Sequence, residues 1–268
     1  MSRFHELITG FHGFRNEYLL KDKEFFEQLA HGQSPKTLVI ACCDSRTDPA
    51  IILGCKPGDL FVVRSIAAIV PDKDSAGKHD AVIAAIEYGI KHLEVHDIVV
   101  MGHSNCGGIH GLLNPDKIRS EEFISRWVSL ALPAVQRIDH ENPGIDARMR
   151  CRLCEEGSVL LSIENLLSYE WVHEPVQAGR LCLHAVYYDL GRARLALWNS
   201  ETEDFEEVPA LHSALFRSEG ALQNSCFCMI ETFVITLVFK LKFHKNQKLK
   251  ILIRGSFARN LDCKTVRE

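Results

Sequence analysis

Three residues of this 268-residue chain have the types and the settings to hold a metal ion. Cys42 stands in Ala-Cys-Cys-Asp-Ser-Arg (41–46), and His103 and Cys106 stand in Gly-His-Ser-Asn-Cys-Gly-Gly (102–108). Two thiolates and an imidazole form a soft N/S set suited to Zn2+. Three protein ligands leave one tetrahedral position open, as catalytic zinc sites do and structural ones do not. Asp44 and Arg46 follow Cys42 at two and four residues and place an acid and a base beside it. The pattern points to a zinc enzyme.

Both halves of the set follow apolar runs that read as buried parallel strands, Thr37–Ala41 and Asp97–Met101. Two such strands, side by side, bring their ligands to the carboxyl edge of a sheet, where open α/β proteins carry their chemistry. Leu60–Val63 reads as a further strand, and Asp80–Leu93 as an amphipathic helix with Val82, Ile83, Ile86 and Ile90 on one face. Helices are expected over Glu121–Ile138 and Glu155–Leu167, a loop at Glu141–Gly144, and a hairpin of Leu181–Asp189 with Ala193–Trp198 around Gly191. Strands alternating with helices predict an α/β fold, a mainly parallel β-sheet covered by helices on both faces. The first thirty residues have helical apolar spacing on two short helices, divided near Gly10–Gly13. Such helices need something to pack on, either the chain's own sheet or a partner subunit.

Hydrophobic residues make up 46% of the chain, enough for the core of one large α/β domain. The net charge of −4 offers no electrostatic reason for nucleic-acid binding. From Ala221 onward there are nine Lys and Arg against three Asp and Glu, so the tail carries +6 and the rest −10. Ten cysteines raise the question of disulfides. The start, Met1-Ser-Arg-Phe-His-Glu, has no signal-peptide pattern, so the reading is a cytoplasmic protein with two zinc thiolates and otherwise inert core thiols. Phe227–Phe239 is apolar but too short for a membrane span of about 20 residues.

Taken together, these motifs resemble the β-class carbonic anhydrases, in particular their plant-like branch. The resemblance runs from Gly32-Gln-Ser-Pro-Lys36 through Cys-x-Asp-Ser-Arg and Asp59-Leu-Phe-Val-Val-Arg64. It continues through Ala84-Ala-Ile-Glu-Tyr88 and His-x-x-Cys-Gly-Gly to Tyr187-Tyr-Asp189. It covers roughly residues 1–205 and leaves 206–268 as a C-terminal extension without a match. Each motif alone is weak, and their order and spacing are specific.

The resemblance implies zinc-dependent, reversible hydration of carbon dioxide to bicarbonate and a proton by a zinc-bound hydroxide, with Cys42, His103 and Cys106 as ligands. It implies that Asp44 orients the hydroxide and that Arg46 holds Asp44 off the metal; release by Arg46 would let Asp44 close the site. Gln33, Phe61, Ile66, Tyr88 and the Gly107 amide become the substrate pocket, completed by the neighbouring subunit of a homodimer or higher oligomer. Without the resemblance, Asp-x-Arg after a strand is often a helix cap with a surface ion pair, and Phe61, Ile66 and Tyr88 are ordinary core residues. His79 is a candidate proton shuttle.

Departures from the family pattern are Cys43 for Ser, Ser65 and Ala68 for two Asn, and Ile66 for Val. Cys151-x-x-Cys154 has zinc or redox spacing but no second pair, and is read as structural; Cys226-x-Cys228 is read as incidental. An enzyme rival is hydrolysis of carbonyl sulfide or carbon disulfide on the same zinc. A rival of another class is a non-catalytic zinc or thiol-redox module, suggested by Cys43 beside Cys42.

Overall fold

The structure is a computed structural model that describes residues 2–75 and 80–209. His79, the apolar stretch 227–239 and Cys226-x-Cys228 lie outside the described residues. Six strands form one sheet in the order β2-β1-β3-β4-β5-β6. These are β1 Thr37–Cys42, β2 Leu60–Ser65, β3 Asp97–His103, β4 Cys182–Asp189, β5 Arg194–Asn199 and β6 Asp204–Glu207. The first four are parallel neighbours, while β5 and β6 return antiparallel. The mainly parallel α/β sheet and the 181–198 hairpin are as expected. The edge strand β6 was not anticipated, because Asp204-Phe-Glu-Glu has one apolar residue to reveal it.

Alternation along β1 sends Leu38 and Ile40 to one face and Val39 and Ala41 to the other. The first face meets Ile98 and Val100 of β3, Ile86 of α4 (Asp80–Lys91), and Val159, Ile163 and Leu166 of α8 (Ala147–Leu167), all within one apolar core. On the other face Val39, Ala41, Met101 and Val186 cluster, and the helix residue joining them is Ile52 of the short α3 (Pro49–Ile52). The long helices therefore gather on one face rather than two. Right-handed crossovers explain this: β1 steps to β2 in one direction, and β2 to β3 to β4 in the other, so their connections emerge on opposite faces.

Three helix expectations are corrected. Glu121–Ile138 is not one helix but α6 (Glu122–Val128), a 3₁₀ turn at Ser129–Ala131, and α7 (Leu132–Glu141). Pro133 sits in the first turn of α7, where its missing N–H costs nothing, so the helix restarts there. Helix α8 begins at Ala147 rather than 155, because Asp146 accepts from the Arg148 and Met149 amides. At the amino end, α1 (Arg3–Phe14) runs straight through Gly10 and Gly13, and a π-helical turn follows at Arg15–Leu19. The division comes at residues 20–22, where Asp22 caps α2 (Lys23–His31).

No residue of α1 or α2 is buried, and Phe4, Leu7, Phe11 and Phe14 lie exposed. Of the two alternatives for these helices, packing on the chain's own sheet is thus not what occurs. Among the described residues no helix is long and apolar enough to cross a membrane.

Candidate metal centre

Cys42 and His103 are the last residues of adjacent parallel strands, which run one and two residues further along than expected. Beyond His103 the ladder ends with Ser104 N–H donating to the Tyr188 carbonyl (2.9 Å). The chain then turns through Asn105 in the left-handed region (φ 55°) and reaches Cys106, directly ahead of α5 (Gly107–Leu113). One ligand atom from each of Cys42, His103 and Cys106 lies within 4.8 Å of the others, and all three side chains are buried. The structure brings the predicted ligand set together.

The imidazole is preset for coordination. Its Nδ1 lies 2.9 Å from the Ser104 carbonyl, which can only accept, so Nδ1 carries the proton and Nε2 presents its lone pair. Nε2 is fully buried and has no hydrogen-bond partner. An orphaned buried nitrogen costs roughly 1–3 kcal/mol unless something binds it. The two thiols add to this. Donation from Cys106 holds the Cys42 thiol down to about 4 against the opposing effect of burial, with further help from the Asp44 and Ala67 amides. The same contact, reinforced by burial, pushes Cys106 up. Two buried sulfurs that share a proton and face an imidazole lone pair form a donor set that fits a divalent cation.

The turn after β2 contributes the Ala67 amide. Ala67 and Ala68 both take positive φ (60° and 54°), a strained backbone for alanine. The strain aims Ala67 N–H at Cys42 Sγ (3.3 Å). Trp127 Nε1–H on the Ile66 carbonyl (2.8 Å) and Ser162 Oγ–H on the Ala68 carbonyl (3.4 Å) hold the turn in place. Asn tolerates this conformation well, so two alanines gave no sequence signal of it.

Asp44 and Arg46 form the expected fork. Arg46 Nε donates to Asp44 Oδ1 (2.9 Å) and Nη2 to Oδ2 (2.6 Å), while the Arg46 amide also donates to Oδ1 (2.9 Å). The guanidinium holds the Asp44 carboxyl well below the usual carboxylate range. Asp44 Oδ2 lies 4.0 Å from His103 Nε2, so the ionised carboxylate flanks the ligand cluster. Arg64, which sequence reasoning used only as motif, clamps this loop. It donates to the carbonyls of Cys42 (2.9 Å) and Asp44 (2.6 Å) and to Asp48 Oδ2 (3.1 Å).

A cleft of about 330 Å³ opens beside the cluster, lined by Cys42, Cys43, Asp44, Ile66 and Gly107, with Ile118, Ile124 and Val128 as an apolar wall. Of the five predicted pocket residues, this chain places Ile66 and Gly107 there. Gln33 lines a different cleft, of about 390 Å³, between α2 and Pro57–Asp59. Phe61 and Tyr88 pair their rings at 5.9 Å, with Tyr88 exposed. Within one chain the three do not join the metal cleft.

Cys43 is exposed overall, yet partial desolvation of its sulfur and the neighbouring Cys42 raise its thiol, which lowers its reactivity. Cys154 is buried in the core, and Cys151 carries a free thiol that donates toward Glu155. Sequence reasoning missed Glu155, a buried carboxylate on α8 that accepts from the Cys106 amide (3.0 Å).

Comparison with known proteins agrees with this geometry. A family model described as "Carbonic anhydrase" matches residues 37–195. Beta carbonic anhydrase 3 of Arabidopsis thaliana is 38% identical over 205 residues, 75% of this chain and 78% of that protein. The solved beta-carbonic anhydrase CcaA is 30% identical, with a TM-score of 0.74 over 77% of this chain and 100% of its own. A tetrameric beta-carbonic anhydrase from the filamentous ascomycete Sordaria macrospora is 32% identical, with a TM-score of 0.66 over 72% of this chain and 95% of its own. With the ligand set, the sheet and the sequence all in agreement, the chain belongs to the carbonic anhydrases of the beta class, enzymes of the lyase type.

Proposed function

We propose that the chain catalyses the reversible hydration of carbon dioxide to bicarbonate and a proton, with Zn2+ held by Cys42, His103 and Cys106. The observation that carries this reading is the buried, partnerless His103 Nε2 facing two buried sulfurs. Zinc bound there would supply the Lewis acidity that makes water nucleophilic near neutral pH. The residues of the chain do the rest. Asp44, kept ionised by Arg46, accepts a hydrogen bond from the nucleophile and aims it. The fork would also keep Asp44 from swinging onto the metal, and the Arg46 pairing supports the open form of the expected switch. Ile66, Ile118, Ile124 and Val128 give a small neutral gas an apolar wall, and the Gly107 amide is placed for developing anionic charge.

Gln33, Phe61 and Tyr88 complete the pocket from a second copy of the chain. The exposed apolar face of α1 supports a homodimer or a higher oligomer. A reducing, cytoplasmic setting belongs to the same proposal; subcellular fractionation tests it.

The experiment is stopped-flow CO₂ hydration by zinc-analysed protein at pH 7 and pH 9, beside Asp44→Ala. Turnover with one zinc per chain, lost by a hundredfold or more in a variant that keeps its zinc, is the expected result. No turnover at either pH despite full zinc overturns the reading, and carbonyl sulfide and carbon disulfide are then the gases to assay.

A further inference from the structure

We propose that Glu155 is a positioning residue for the metal centre: its buried carboxylate, braced by Tyr187, holds the backbone of Cys106 and so sets the place of the third ligand. The proposal rests on the reading of Cys42, His103 and Cys106 as a zinc site.

Cys106 follows the end of the β3 ladder, so no strand neighbour fixes it. Besides the contacts of its sulfur, three hydrogen bonds of the local backbone place it. Its carbonyl accepts from His110 N–H (2.9 Å) in the first turn of α5. The preceding Asn105 carbonyl accepts from Arg46 Nη2 at 3.3 Å, a weak contact. Its own amide donates to Glu155 Oε1 (3.0 Å). The last is a charge-assisted bond between buried groups, the strongest of the three. The other carboxylate oxygen is not free to wander, because Tyr187 on β4 donates its hydroxyl to Oε2 at 2.7 Å.

A tie thus runs from β4 through Tyr187 and Glu155 on α8 to the ligand loop. Its length depends on close packing of α8 on β3: at Gly102, next to His103, an added Cβ would collide with Val159 Cγ2.

Stability does not explain the residue. Glu155 is 4% exposed, and its hydrogen-bond donors (the Cys106 amide, the Tyr187 hydroxyl and the Cys151 thiol at 3.6 Å) are all neutral. A buried carboxylate with only neutral partners is costly, and an apolar or amide side chain would pack more cheaply. What the carboxylate alone supplies is two acceptor oxygens, one for the ligand loop and one for the brace.

The test measures zinc affinity by competition with a chromophoric chelator, and the visible spectrum of the cobalt(II) form, for wild type, Glu155→Ala, Glu155→Gln and Tyr187→Phe. Melting of each metal-free protein reports folding separately. Glu155→Ala should weaken zinc binding about 10–100-fold, the range for partners that orient metal ligands, and shift the cobalt d–d bands. Glu155→Gln keeps an acceptor for Cys106 N–H and should recover most of the affinity. Tyr187→Phe should lose several-fold while remaining folded. Wild-type affinity and cobalt spectra in a folded Glu155→Ala overturn the proposal. Should that variant not fold, the same result in Tyr187→Phe overturns it. Failure of the wild type itself to bind zinc overturns the metal reading and this proposal with it, a result distinct from equal binding by all four proteins.

Discussion

The ligand cluster works because small groups are placed where larger ones would not fit. Gly102 is the clearest case. It sits in β3 one residue before His103, and its missing side chain is what lets Val159 of α8 come close. Its backbone is an ordinary strand conformation, so alanine there is a purely steric probe. Gly102→Ala should cost about 1–3 kcal/mol in denaturant unfolding, the usual penalty for overpacking, and should also weaken zinc, because α8 carries Glu155. A stability loss with wild-type zinc affinity would show that the spacing of α8 does not matter to the ligand loop. Gly108 does similar work on the other side, where a Cβ would meet Ile66 Cγ2 at 2.7 Å and Ala67 Cβ at 3.0 Å.

At the scale of elements, α8 is the part that decides the site, and α7 holds it. Arg150 of α8 grips Asp139 of α7 with both ends of its fork, Nε to Oδ1 at 2.6 Å and Nη2 to Oδ2 at 2.8 Å. The Arg150 guanidinium lowers the Asp139 carboxyl below its ordinary value. A carboxyl depressed by folding stabilises the native state above its unfolded pKa and loses that contribution as pH falls through the folded value. Arg150→Gln should therefore melt a few degrees below wild type at pH 7, with the gap closing as pH falls below about 4, the ordinary carboxylate range. A gap that persists unchanged at pH 3 would mean the arginine acts through packing instead.

Hydrophobic periodicity revealed the second half of α8 but not its start, because Arg148, Arg150 and Arg152 leave the first turns without an apolar stripe. The start was nonetheless marked, by Asp146 as a cap. In α6 and α7 the reverse held: apolar spacing ran on across a break that Pro133 signalled.

At the scale of the whole molecule, the described chain leaves an unusual amount of aromatic surface in water. Phe11 stacks on Phe14 at 6.4 Å, and Phe14 meets Tyr18 at 4.9 Å and Phe26 at 5.9 Å, all on helices that contribute nothing to the core. A cluster of this kind serves a partner surface better than a solvated one. If the proposed homodimer or higher oligomer forms through this face, the double variant Phe11→Asp/Phe14→Asp should sediment as a monomer beside a larger wild type, and should lose CO₂ hydration along with it. An active monomer would show that Gln33, Phe61 and Tyr88 are not supplied from a second copy.

The sequence by itself determined the chemistry. Ligand identity is a property of residue type, and strand ends are visible as apolar runs that stop, so Cys42, His103, Cys106, Asp44 and Arg46 could be read in place, along with the parallel α/β class. Only the tertiary structure decided what couples distant segments. The carboxylate under Cys106 lies 49 residues further along the chain, and its brace at Tyr187 another 32. The left-handed Ala67–Ala68 turn and the crowding of long helices onto one face were equally hidden. Local propensity has no access to them, because each is fixed by contacts that form only once the sheet order β2-β1-β3-β4 has brought remote residues together.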